Sequence, residues 1–376
     1  MDPGRFPRRI LLCVTGLSPQ IITETLYALA VKNQPPFIPT EIHLITTVEG
    51  SERVRLTLLN PEQGYFFRFC TDYGLDVQAI HFDETTLHLV TDGAGAALPD
   101  IRNEADNIAA ADTITAVVRT LTADPANCVH ASIAGGRKTM GFFLGYAMSL
   151  FGRPQDRLSH VLVSTPFESH PEFFFPPAKS RVMMVRDSSG RETKPVRTSD
   201  AIVTLADIPF VRLRDGLDEA LLTGSASYSE TVRRAQLSLA APELVLDPQN
   251  QRVLCGGTAV TLPPVDFAFL AWFARRAQAA QPSIHWTEAN AAEFLSEYRV
   301  VTDELSGDYE RAVEALANGM NKEYFEQRAS RLRSALRHAL GPAAAKVYLP
   351  TATGRRPRTR YALTLKPEQI RFEPLE

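Results

Sequence analysis

The stretch Ser132-Ile133-Ala134-Gly135-Gly136-Arg137-Lys138-Thr139-Met140-Gly141 decides how this chain is read. The apolar run 128–133 enters it as a buried strand. The apolar, glycine-containing run 140–150 leaves it as a helix. Two adjacent glycines allow backbone geometries closed to other residues and let a ligand approach the main chain. A helix start offers unpaired N–H groups and roughly half a positive charge. Arg137 and Lys138 add two full charges at the same place, the combination that receives a phosphate. A Gly-Gly pair before a helix also makes a plain strand-to-helix turn, and from the residues alone both readings stand. The spacing is neither that of a P-loop nor that of the G-x-G-x-x-G dinucleotide turn.

Working outward, residues 10–14 (Ile-Leu-Leu-Cys-Val) form a second continuous apolar run, as in a strand buried on both faces of a parallel sheet. The run breaks at Thr15-Gly16-Leu17-Ser18-Pro19-Gln20, and a helix starts near Ile21. Ser18 and Pro19 suit an N-cap and first turn. In a doubly wound sheet, loops at the carboxyl ends of strands converge on one crevice, so Thr15, Ser18, Arg137 and Lys138 are expected to share a pocket. Ser18 as a helix cap and Ser18 as a ligand contact do not exclude each other.

The 376 residues suggest two domains. Strands are expected at 41–46, 77–82 and 158–163, with helices at 51–59, 65–73 and 103–121. This rhythm implies a mostly parallel three-layer α/β sheet. Residues 164–177 read as an aromatic, proline-rich loop. Further strands are expected at 181–185 and 201–205, and a helix at 228–239 leads out of a first domain spanning 1–240. From 241 to 376 the grammar changes to a smaller α+β domain. It has short strands at 243–246, 252–254 and 259–262, helices at 265–277 and 324–340, and a hairpin pairing 347–349 with 360–365.

Apolar runs fall short of the roughly 20 residues that span a bilayer. Residues 1–9 are polar and proline-rich, unlike a signal peptide, and four scattered cysteines lack metal or redox spacing. The expectation is a cytoplasmic protein with no membrane, no disulfide, no metal and no cofactor. The net charge is −3, yet residues 328–366 hold ten Lys or Arg and no Asp or Glu, leaving −13 elsewhere. That segregation points to a nucleic-acid-facing segment.

The first domain resembles the CRISPR-associated ring nucleases built on the CARF fold, a Rossmann-like sensor of cyclic oligoadenylates. The likeness runs over most of residues 8–178. It rests on the 15–29 stretch, on Asp100-Ile101-Arg102, on Ala134 to Gly141, on Ser149 to Arg153 with Asp156 to Val163, and on Pro166-Phe167-Glu168. The resemblance implies a type III CRISPR antiviral role. It also implies a homodimer with one symmetric ligand pocket and metal-independent cleavage of cyclic oligoadenylate, with the tetra-adenylate first. Ser18 and Lys138 fall on the catalytic positions. Thr15, Gly16, Gln20, Gly135, Gly136, Arg137, Thr139 and Glu168 fall around the ligand. In such a reaction the ring's own 2′-hydroxyl attacks the adjacent phosphorus. Positioning contributes up to about 7–11 kcal/mol, and one well-aimed donor about 3–4 kcal/mol. His160 reads either as an acid or base or as a structural histidine. Asp100 and Arg102 read as an ion pair or as caps.

The second domain resembles a winged helix-turn-helix of response-regulator type. Residues 328–336 stand at its recognition helix and the Arg-rich hairpin at its wing; 290–322 depart from that pattern. The resemblance makes Arg328, Arg331, Arg333, Arg355 and Arg356 candidate contacts to double-stranded DNA. It also keeps open a cyclic-oligoadenylate-controlled transcriptional regulator. A third reading, a ring-activated HEPN-type ribonuclease, rests on the R-x(4–6)-H spacing of Arg333 and His338.

Overall fold

A computed structural model describes residues 3–168, 170–186, 193–217, 219–239, 241–354 and 358–374. The chain divides into two compact units, Met1–Asp215 with Leu221–Ser229, and Gly216–Ala220 with Glu230–Glu376.

The first unit is built on β1 (Arg8–Val14), β2 (Glu41–Thr46), β3 (Leu87–Leu89), β4 (Asn127–Ser132) and β5 (Arg157–Val163). A hairpin of β6 (Val182–Arg186) and β7 (Thr193–Arg197) precedes β8 (Val203–Asp207). The main sheet runs β3-β2-β1-β4-β5-β8, parallel except for β8 against β5. Ile10 through Val14 have no exposed surface, and the isoleucine, leucine and valine side chains each contribute about 1.5–3 kcal/mol of burial. Leu11 and Cys13 join α1 (Gln20–Tyr27) and α3 (Tyr65–Tyr73) in one core, while the alternate residues face the other way. After β2 comes α2 (Val48–Thr57). α4 (Glu104–Ala123) and α5 (Lys138–Phe151) pack on β4 and β1. Right-handed crossovers put α1 and the α4–α5 pair on opposite faces, because strand order reverses between β1 and β4. The unit is a mostly parallel, Rossmann-like α/β fold.

The sequence places a strand at 77–82. Asp76 instead accepts a bond from the Gln78 N–H and starts a 3₁₀ turn, Val77–Ala79, so only His81 bridges to the sheet. The strand beside β2 is the three-residue β3. At the amino ends of β4 and β5, buried Arg153 and Asp156 form an ion pair of 2.9 Å. Asp156 also accepts from the Val129 N–H, and Arg153 donates to the Asn127 carbonyl, so the pair ties both strands together.

Two helices follow β8, α6 (Glu219–Thr223) and α7 (Tyr228–Leu239). In the second unit, β9 (Leu244–Asp247), β10 (Arg252–Cys255) and β11 (Thr258–Thr261) form an antiparallel meander. α8 (Pro264–Gln278), α9 (Ala291–Val301), α10 (Gly307–Ala315), α11 (Lys322–Leu340) and α12 (Pro342–Ala345) come next. The stretch that departs from the winged-helix pattern is thus two short helices. β12 (Thr351–Thr353) and β13 (Arg360–Ala362) make a hairpin. Residues 347–349, expected in that hairpin, close a 3₁₀ turn, Lys346–Tyr348, instead. A terminal β14 (Ile370–Phe372) runs parallel to β9. Phe267, Phe269, Trp272, Phe273, Phe294 and Phe325 fill this core, and the apolar stretch 267–274 of α8 is buried on every side.

Candidate functional site: a crevice between β1 and β4

The switch point lies where the loops after β1 and β4 meet. The Thr15 N–H donates to the Ile45 carbonyl at 3.0 Å, and the Thr46 hydroxyl donates to the Thr15 carbonyl at 2.8 Å, fixing the first loop. Pro19, already near helical geometry, takes the N-cap position of α1 without a side-chain cap. The exposed Ser18 hydroxyl makes no hydrogen bond among the described residues, so capping does not occupy it. Across from it, a Cβ on Gly135 would stand 2.7 Å from the Val14 carbonyl oxygen. Gly136 has φ +77°, a left-handed conformation that favours glycine.

Arg137 sits at the N-cap of α5, again with no side-chain cap; the Met140 N–H donates to the Arg137 carbonyl at 2.9 Å, which leaves the Lys138 and Thr139 amides as the unpaired donors of the first turn among the described residues. Its guanidinium forks onto Asp100, with the Nε bond at 3.2 Å. Asp100 also lies 3.6 Å from Arg102, which reaches Glu49 at 3.0 Å. The Arg137 bond, ahead of the other partners, holds the Asp100 carboxyl below its usual range. Asp100 is therefore an ion-pair partner, and the cap of α4 is Asn103.

Thr15, Gly16, Ser18, Gly135, Gly136 and Arg137 surround one cavity of about 310 Å³, with Thr47, Glu49 and Asp100 on its wall. Two carboxylates share this wall with Arg137, so the arginine that the sequence offers as a full charge is already matched by Asp100. Lys138 and Thr139 are exposed at the start of α5 and do not line the cavity.

Gln20 and Glu168 lie instead in an adjoining cavity of about 220 Å³ with Ser18, Ile21, Glu24, Phe167, His170 and Phe173. The Thr23 hydroxyl donates to the Phe174 carbonyl at 2.7 Å and ties the aromatic loop over α1. Glu24, which sequence reasoning passed over, is 7% exposed. Burial, then the neighbouring Glu168 charge, raises its carboxyl to about 8. His160 lines neither cavity, and its Nδ1 is buried without a partner.

A family model described as CRISPR-associated protein NE0113 matches residues 18–240. The chain belongs to this CRISPR-associated family. The match takes in the Gly135–Gly136 loop and the whole lining of the second cavity; of the loop after β1 it takes in Ser18 onward, with Thr15 and Gly16 just outside it. Among solved structures, Enterococcus italicus Csm6 bound to cyclic hexa-2′-fluoro-hexa-dAMP is similar at 14% identity and a TM-score of 0.27. That likeness covers 43% of this chain and 35% of the Csm6 chain. No curated protein matches.

The basic candidates lie beyond the family match. Arg328 is 7% exposed and pairs with buried Asp266 at 3.1 Å. It is a core ion pair and not a surface contact, because its position on α11 turns it toward α8. Arg331 and Arg333 are exposed on α11. Arg355 and Arg356 lie outside the described residues. Arg333 and His338, both exposed on α11, are five residues apart, about 140° around the helix. Among the described residues, no group of three or more His, Cys, Asp or Glu could hold a metal, and no helix is long and apolar enough to cross a membrane.

Proposed function

We propose that the chain is a ring nuclease of type III CRISPR defence, which binds cyclic oligoadenylate, tetra-adenylate foremost, and opens it to switch off the signal. The observation that carries this reading is the switch-point cavity where Ser18, the two glycines and Arg137 meet an uncapped helix start. Membership in a CRISPR-associated family supports it. A ribose 2′-oxygen attacks the adjacent phosphorus, the 5′-oxygen leaves with a proton, and the 2′-hydroxyl loses one. The products are a 2′,3′-cyclic phosphate and a 5′-hydroxyl. The free Ser18 hydroxyl orients the ribose or phosphate, and Arg137 with the glycine amides holds phosphate. Lys138, exposed beside the cavity with no ion pair among the described residues, stabilises charge on the phosphoryl oxygens. A ring wider than one cavity extends over it into a second copy, as a homodimer. The test incubates labelled cyclic tetra- and hexa-adenylate with the protein in EDTA. Linear product is expected from the parent, with a loss of roughly 10²–10³ in Lys138→Ala and a loss in Ser18→Ala. Tight binding without product over hours refutes the nuclease; absence of binding refutes the whole reading.

The exposed Arg331 and Arg333 on α11, followed by the β12–β13 hairpin, favour a second reading. In it the second unit is a winged helix-turn-helix that binds double-stranded DNA under control of the ring. DNA affinity that falls steeply with salt and changes with ring bound is its signature.

A further inference from the structure

The cavity beneath Glu24 is built for something specific. Glu24 is more than nine-tenths buried, and no described residue donates a hydrogen bond to its carboxyl. The Gln20 amide oxygen at the same cavity is buried and also without a partner. Ile21, Phe167 and Phe173 supply apolar walls. Ser18 borders both this cavity and the crevice, so a nucleotide with its phosphate in one has its base within reach of the other. We propose that this cavity is a purine subsite in which Glu24 reads the N1/N6 edge of adenine. The inference rests on the proposed reading of the adjoining crevice.

The chemistry follows from protonation. A neutral carboxylic acid offers one O–H donor and one acceptor, matching adenine N1 and the N6 amine. An ionised carboxylate offers acceptors only and matches the N1–H and N2 amine of guanine instead. Two carboxyl groups in one pocket, with no Lys or Arg among the described residues that line it, resist joint ionisation, and the deeper one, Glu24, keeps its proton to about pH 8. Among the described residues, the titratable side chains that share its cavity are Glu168 and His170. His170 is engaged at both nitrogens, with the Met184 carbonyl at 3.2 Å and the Glu172 N–H at 3.2 Å. Of the elements packed on α1, β5 places His160 on its other face. α3 directs Arg68 and Asp72 into a different cavity and engages the Tyr73 hydroxyl with the Pro176 carbonyl, and Asp207 of β8 is exposed. Gln20 supplies a second acceptor for an amine.

The test measures binding of the dinucleotides ApA and GpG, and separately of cyclic tetra-adenylate, to parent, Glu24→Gln and Glu24→Ala. The parent at pH 6.5 should prefer ApA by roughly 5- to 150-fold, the worth of about 1–3 kcal/mol for an unmatched buried polar pair. Glu24→Gln, which carries the same donor and acceptor, keeps that preference and holds it above pH 9, where the parent loses it. Glu24→Ala loses it at every pH. Equal binding of the two dinucleotides by the parent, or a preference that survives in Glu24→Ala, overturns the subsite even if the ring binds. A Glu24-dependent ApA preference without ring binding upholds the subsite and refutes the ring reading.

Discussion

Replacing Asp156 by Ala should unfold the first unit at a much lower temperature while leaving the crevice intact in the folded fraction. Asp156 has no exposed surface and accepts four bonds: from the Arg153 N–H at 2.8 Å, its Nε at 2.9 Å and its Nη2 at 3.0 Å, and from the Val129 N–H at 2.9 Å. Alanine strands the guanidinium of Arg153, itself 7% exposed, and orphans the amide of β4. Breaking a buried pair from one side costs about 3–5 kcal/mol, which for a unit of roughly 150–250 residues is a fall in Tm of about 6–20 °C. The measurement is thermal unfolding by calorimetry, with Arg153→Met/Asp156→Leu alongside. The double variant should recover part of the loss, since it removes the stranded charge. Ring binding measured well below the melting temperature should match the parent, because the pair is at the amino ends of the strands and the crevice at the carboxyl ends. A Tm within 2 °C of the parent, using ~2–4 °C per kcal/mol, would refute the assignment of this pair as a tie between β4 and β5.

Gly135→Ala puts a methyl 2.7 Å from the Val14 carbonyl; a destabilisation of about 1–3 kcal/mol and loss of tetra-adenylate binding are expected by calorimetry and titration. His130, 5% exposed and bonded to the Ser159 hydroxyl at 2.8 Å, is pushed by burial down to about 4. Its unfolded form titrates near 6.5, so between these values the unfolded chain binds more protons and stability is lost as the pH falls. Urea unfolding at pH 5 should show about 2 kcal/mol less from this group than at pH 7, and His130→Gln should flatten that slope; an unchanged profile refutes it. Arg328→Ala should cost the second unit about 3–5 kcal/mol by denaturation. Arg331→Ala and Arg333→Ala should each lower the salt slope of DNA binding by about 1 and spare stability.

The glycine loops and their strands were legible because they are written locally. The continuous apolar run of β1 and the bounds of β2 and α3 needed only periodicity. What could not be read depends on distant partners. Glu24 stands two residues from Ile22, about 200° around α1, and so reads as solvent-facing; the loop carrying Phe167 and Phe173 folds over and buries it. Arg137 reads as free charge until Asp100, 37 positions away, takes it. Arg328 belongs to a basic run, and nothing in that run marks it as the one that turns inward to Asp266. β3 and β14, three residues each, are too short to show alternation, and their pairing is set by the neighbours that receive them.

The Arg137–Asp100 fork changes what ligand entry means for salt. A bare guanidinium gathers counterions and releases them when phosphate arrives, which makes affinity fall with ionic strength. A guanidinium already neutralised by its own chain trades one anion for another and sheds few ions. On the proposed reading, the share of anion binding that runs through Arg137 is thereby less sensitive to ionic strength than the share that runs through Lys138, unpaired among the described residues, and a small stray anion gains little by displacing a carboxylate tethered in place.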